Sequence, residues 1–306
     1  MKIVVYGPER RTGALVGEHV VDLNRASNGQ VPAQLEAFIL AGQTGLDAAQ
    51  RASERASSGP DGQVVHQASQ VQIHAPWPGR RIACAGGNFA EHLAGMEAGI
   101  PNLDEITRKA RERGQWGFWK VPAEVGGSGA EVPFPSRTKY LDYEGEAAII
   151  IGKSGKNIKA GDIDGYVWGI TLLNDWSIRD DVYGQRPMSY NLAKNFDMST
   201  TLGPCIVVGE LGHTDVPVET KVNGSVRQSY NTEEMIWGFG EIIELLSRDF
   251  TFVPGDIISG GTNAGTAADK SKPGPDGKKP TDLFLKKGDV VEVSSPKIGV
   301  LRNTVM

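Results

Sequence analysis

The chain has 306 residues, with 32 Lys and Arg against 37 Asp and Glu, a formal net charge of −5. At roughly 100–200 residues per domain this length supports one large domain or two modest ones, and the charge argues against nucleic acid or an anionic membrane as partner. Apolar runs such as Ala147 to Ile151 fall far short of the roughly 20 residues that span a bilayer.

The opening Met-Lys-Ile-Val-Val-Tyr-Gly is too short an apolar run for a secretory signal, which needs about 7–15 such residues. Two cysteines, Cys84 and Cys205, make no disulfide framework and read as buried thiols. These features predict a cytoplasmic protein. Glycine supplies 39 residues, well above the usual roughly 7 %, which predicts many turns and a β-rich chain.

In chain order, Lys2 to Tyr6, Gly13 to Val16 and Val20 to Leu23 read as short strands between turns. Pro32 to Leu40 and Leu46 to Ser57 read as helices from their apolar spacing. The stiff Ala75-Pro-Trp-Pro-Gly79 passage places a domain boundary near residue 76, dividing the chain into 1–75 and 76–306. Arg81 to Ala85 reads as a strand and Phe89 to about Arg113 as a helix interrupted at Gly95, Gly99 and Pro101. Its charged later part predicts a mobile lid over 95–116. Tyr143 to Ile151 and Tyr166 to Leu173 read as strands. Asn223-Gly224 between strand-like flanks predicts a hairpin, and Thr232 to Leu246 a helix capped by Thr232. Pro254-Gly-Asp256 and Lys287-Gly-Asp289 read as turns that start strands.

The richest segment is Tyr140-Leu-Asp-Tyr-Glu-Gly-Glu-Ala-Ala-Ile-Ile-Ile151. On a strand, Glu144 and Glu146 point to one face, about 7 Å apart along the backbone. Ala148 and Ile150 continue that face, so the carboxylates lead toward an apolar interior. Two anions there repel and lose hydration, and a hard divalent cation resolves both problems. The alternative is an edge strand with both Glu in solvent. Asp175 follows an apolar strand and is either a third site carboxylate or the N-cap of a helix beginning near Ser177.

The chain resembles the fumarylacetoacetate hydrolase superfamily. The motifs are Gly86-Gly-Asn-Phe-Ala-Glu-His92, Phe118-Trp-Lys-Val-Pro122, Leu141-Asp-Tyr-Glu-Gly-Glu146, Asn174-Asp-Trp-Ser-Ile-Arg-Asp180, Lys194-Asn-Phe-Asp197, Leu202-Gly-Pro204, Val222-Asn-Gly224, Pro254-Gly-Asp256 and Gly260-Gly-Thr262. They fall in the family's order across about residues 80–306.

The resemblance implies an α+β, β-rich fold, a mixed sheet rolled into a barrel-like sandwich, with a small N-terminal α/β domain, in a homodimer. It implies Glu144, Glu146 and Asp175 as ligands of Mg²⁺ or Mn²⁺, and His92 as general base. Lys120, Arg179, Lys194 and Thr262 would contact oxygens of a small keto acid, with the backbone at Gly261 beside them. Compact hydrolytic members carry a Glu three residues after the His. Gly95 stands there, so Glu97 is expected to pair with His92, with Glu91 as second candidate. The activity implied first is metal-dependent hydrolysis of a C–C bond in an acylpyruvate-like β-diketo acid. Decarboxylation of an oxaloacetate-type acid and enol/keto isomerisation use the same site, and a metal-stabilised binding protein without turnover is the remaining alternative.

Overall fold

The computed structural model describes residues 1–58, 63–96, 102–180, 189–209, 211–271 and 280–306. The architecture is mixed α+β and rich in sheet. An eleven-stranded sheet runs from Val65–Gln67 through His19–Asp22, Arg11–Val16, Lys2–Tyr6, Thr200–Val207, Val167–Asp175, Gly145–Ile151, Ile257–Ser259 and Ile82–Gly86 to Trp116–Lys120, with Ile73–His74 beside Lys2–Tyr6. Among the described residues no pairing closes this sheet on itself. The N-terminal strands join it directly, since Lys2 and Ile3 pair with Val207 and Ile206. A five-stranded sheet is ordered Ser225–Asn231, Pro217–Val222, Val290–Ser295, Gly299–Val305 and Glu131–Val132.

Gly145–Ile151 lies at the centre of the larger sheet, between Val167–Asp175 and Ile257–Ser259. Every residue in it is buried. Its side chains alternate between two cores, as the two-residue period of a strand requires. Ala147, Ile149 and Ile151 pack with Phe239, Ile242 and Ile258, whereas Ala148 and Ile150 pack with Phe38, Leu173 and Ile257. Glu146 shares the face of Ala148, so the strand carries a carboxylate into an apolar layer.

The Asn223-Gly224 hairpin forms as expected, with φ of 51° and 79° at the two turn residues. Two readings are corrected. Thr232 to Leu246 is not one helix: a 3-10 turn at Thr232–Glu234 is capped by Asn231, and the helix proper is Phe239–Leu246, started at Gly238. Among the described residues no helix begins near Ser177 either. Ser177–Ile178 is a short strand paired with Leu141–Asp142, so Asp175 ends a strand and is no helix cap.

The 95–116 region contains a helix, Leu103–Arg113, that is better anchored than its charge suggests. Ile106 and Ala110 are buried, and Arg111 donates to Ile236 O and pairs with Glu241. No helix among the described residues is long and apolar enough to cross a membrane.

Candidate active site

Glu144, Glu146 and Asp175 converge. All three are buried, and one carboxylate oxygen from each lies within 4.8 Å of the others. The backbone enforces this. Glu144 N donates to Asn174 Oδ1 at 3.0 Å, and Asp175 N donates to Glu144 O at 2.9 Å. Between the two Glu, Gly145 N donates to Gln228 Oε1 at 3.0 Å, while Gly145 O accepts from Tyr230 and Thr262 hydroxyls at 2.8 and 2.9 Å. A Cβ at Gly145 would lie 2.0 Å from Thr220 Oγ1, so only glycine lets the second sheet close on this peptide.

Three cations meet the carboxylates. Lys120, at 0 % exposure, donates to Asp175 and to Lys194 O at 2.8 Å. Lys194 Nζ donates to Asp175 Oδ2 at 2.8 Å, to Ser177 Oγ at 2.6 Å and to Glu144. Arg179 Nη2 donates to Glu144 and Nε to Asp142 Oδ2 at 3.1 Å. Burial alone would raise the Glu144 carboxyl, but Lys194 and Arg179 outweigh it and hold it far below its ordinary value. Glu146 goes the other way. Burial, with repulsion from Asp175 and Glu144, pushes it well above its ordinary value. Among the described residues only the Ser259 hydroxyl donates to it.

That imbalance tests the fit to a metal ion. Three buried oxygen donors, one with no cation partner among the described residues, suit a hard divalent ion, and the solvent-facing alternative for Glu144 and Glu146 is excluded by exposures of 5 % and 2 %.

His92 lies on the Ala90–Met96 helix, 12 % exposed. Its Nδ1 meets Asp269 Oδ2 at 2.9 Å. Burial would lower the imidazole, but Asp269 overrides it and holds His92 above its ordinary value. The acid beside His92 is therefore Asp269. Glu97, expected there, lies outside the described residues, and among the described residues the ring's carboxylate partner is Asp269 rather than Glu91. Pairing across 177 residues is invisible to local spacing, although Thr266-x-x-Asp269 has the form of a capping box, which the structure contains.

Thr262 has its proton committed to Gly145 O and accepts from Gln228 Nε2 at 2.8 Å. Gly261 takes φ +84°, and Asn88 Nδ2 fixes Gly260 O at 2.8 Å. Gln228, Tyr230 and Asn88 are thus site-building residues that the sequence reading assigned no role. Beside Lys194, Phe118 stacks on Tyr190 with centroids 5.3 Å apart, and Lys194 Nζ lies 5.3 Å over Phe118.

Residues 81–306 match the model of the fumarylacetoacetate (FAA) hydrolase C-terminal domain. The chain belongs to this family. An oxaloacetate tautomerase of Bacillus subtilis is 32 % identical over 302 residues, covering 94 % of this chain and 93 % of that protein. A human mitochondrial oxaloacetate tautomerase is 32 % identical over 294 residues, covering 95 % and 85 %. The solved fumarylacetoacetate hydrolase of psychrophilic Exiguobacterium antarcticum superposes with a TM-score of 0.75 at 28 % identity, covering 100 % of this chain and 99 % of that one.

Proposed function

We propose that this family member is a divalent-metal-dependent enzyme that interconverts the keto and enol forms of a small α-keto diacid of the oxaloacetate type. The observation that carries this reading is one buried carboxylate triad joined, through Arg179 and Asp142, to a His92–Asp269 acid–base pair. The sequence reading placed C–C hydrolysis first. Similarity along almost the whole chain to two oxaloacetate tautomerases supports putting isomerisation ahead of it.

Glu144, Glu146 and Asp175 would hold Mg²⁺ or Mn²⁺, and the ion would polarise a keto oxygen as a Lewis acid. The protein groups do the rest. Lys194, Arg179 and Lys120 supply fixed positive charge where a dicarboxylate substrate brings negative charge. With Nδ1 held by Asp269, Nε2 of His92 is the nitrogen left to carry a proton. One C–H bond at C3 breaks and one O–H bond at C2 forms, so no co-reactant is needed. The dimer enters as a proposal too, tested by sedimentation.

The second reading is hydrolysis of an acylpyruvate, favoured by the similarity to the Exiguobacterium hydrolase. Ultraviolet absorbance distinguishes them. Oxaloacetate enol should decay faster with enzyme and Mg²⁺, and chelator should abolish the effect. Cleavage of acylpyruvates with no effect on the oxaloacetate enol would establish the hydrolase instead. No turnover of either, with metal bound, would leave a binding protein.

A further inference from the structure

Asp142 is 0 % exposed, and nothing in the reaction above uses it directly. Its carboxylate faces two ways. Oδ2 accepts from Arg179 Nε at 3.1 Å, and Arg179 Nη2 donates onward to Glu144. Oδ1 also accepts from Ala267 N at 2.8 Å, and Oδ2 from Ala268 N at 3.1 Å. The remaining bond is from Tyr143 N to Oδ1 at 2.9 Å.

Ala267 and Ala268 open the four-residue helix Ala267–Lys270, whose third residue is Asp269. A single turn cannot hold itself in water, so its position is set by what grips its ends. Here the grip is Asp142 together with the Thr266 cap. Asp269 Oδ2 in turn accepts from Gly265 N and Thr266 N at 3.1 and 3.2 Å and meets His92 at 2.9 Å. An unbroken buried chain therefore runs from Glu144 through Arg179, Asp142 and this helix to Asp269 and His92.

We propose that Asp142 is a positioning residue that holds the metal ligands and the acid–base pair in one register, so that its loss displaces Glu144 and His92 together. The inference rests on the metal-site reading. An amide cannot replace this carboxylate. Both oxygens accept from N–H groups, and an Asn must turn its own NH₂ toward one set of donors. Arg179, left without its second anion, would then bind Glu144 more strongly in competition with a metal ion.

Two readouts test this without measuring turnover. One is the Mn²⁺ dissociation constant by electron paramagnetic resonance. The other is the NMR signal of the His92 Nδ1 proton in the Mg²⁺-loaded protein. Asp142→Asn should weaken Mn²⁺ binding about 10–100-fold, the usual cost of losing a group that orients a metal ligand, and should shift the His92 signal. Asp269→Asn should shift the His92 signal and leave Mn²⁺ binding within about two-fold, since it lies beyond Asp142 on that chain. A folded Asp142→Asn protein in which either readout stays at the wild-type value overturns the proposal. Should that variant not fold, the wild type carries the test. Mg²⁺ should slow amide exchange at Ala267 and Ala268, and unchanged exchange there overturns the coupling. Wild-type protein that binds no Mn²⁺ overturns the metal-site reading itself, a result distinct from the others.

Discussion

Asp22 and Glu146 are both carboxylates withdrawn from water, at 0 % and 2 % exposure, but their surroundings differ. Asp22 accepts from Tyr6 Oη at 2.8 Å, Arg11 Nε and Nη2 at 2.7 and 3.2 Å, and Arg25 N at 3.0 Å. Burial alone would raise its pKa, yet Arg11, the Arg25 amide and Tyr6 together bring it below the ordinary value. Glu146 has one hydroxyl donor among the described residues, and two carboxylates beside it. The first anion is completed by the chain. The second has no such set of donors among the described residues. Burial of charge therefore does not mark a site, whereas burial without compensation does.

The largest effect that would sharpen this contrast is loss of a triad member. Glu146→Gln should cut turnover by about 10³-fold or more, since the ion's Lewis-acid role goes with it, while Asp22→Asn should leave turnover unchanged. Steady-state assays on oxaloacetate read both. His92→Ala comes next, with kcat expected to fall about 10²–10⁴-fold, the range for a positioned proton-transfer group. Mn²⁺ titration of that variant should still show a bound ion. Loss of the ion in it would mean that His92 belongs to the metal site.

Much of this site was legible in the sequence because its parts are local. Strand period puts Glu144 and Glu146 on one face but leaves solvent possible on that face, Asp175 alone reads as well as a helix cap, and only the resemblance joins the three. Asn223-Gly224 fixes its own backbone. What stayed hidden depends on distant chain. Asp269 reaches His92 from 177 residues away, and Asp142 looks like an ordinary polar residue until its partners in Arg179 and the Ala267–Lys270 helix are seen. Gly238 defeated the helix reading, because the apolar spacing of 232–246 continues across a residue that serves there as a cap. The same holds for Ser177-Ile178, whose strand exists only through its pairing with Leu141-Asp142.

Smaller effects concern stability. Asp22→Asn removes an acceptor shared by Arg11, Tyr6 and a backbone amide and should cost about 3 kcal/mol in denaturant unfolding. Because the folded Asp22 pKa is depressed, its contribution is present above the unfolded value of about 4 and is lost as pH falls through the folded value. The wild type should therefore lose stability more steeply than Asp22→Asn below about pH 4. Equal acid limbs would show that Asp22 is not the completed anion described here.

Glu146 has the opposite sign. Its folded pKa is raised in the metal-free protein, so its contribution is fully present below the unfolded value of about 4.3 and is lost as pH rises through the raised folded value, up to which the folded carboxyl keeps its proton. Metal binding must then displace its proton. Calorimetric titration of Mg²⁺ in two buffers of different ionisation enthalpy should register that release, and identical heats in the two would argue against it.

The most direct test of an anion left for a metal to complete is thermal unfolding at pH 7 of wild type and Glu146→Gln, each with chelator and with excess Mg²⁺. Metal-free Glu146→Gln should melt above metal-free wild type, because burial and the neighbouring carboxylates oppose the ionisation of Glu146 that the unfolded chain gains at pH 7, a cost the amide does not carry. Mg²⁺ should raise the wild-type midpoint in a concentration-dependent way and leave the variant unmoved. A metal-free variant less stable than wild type, or one that Mg²⁺ stabilises as strongly, would contradict the account.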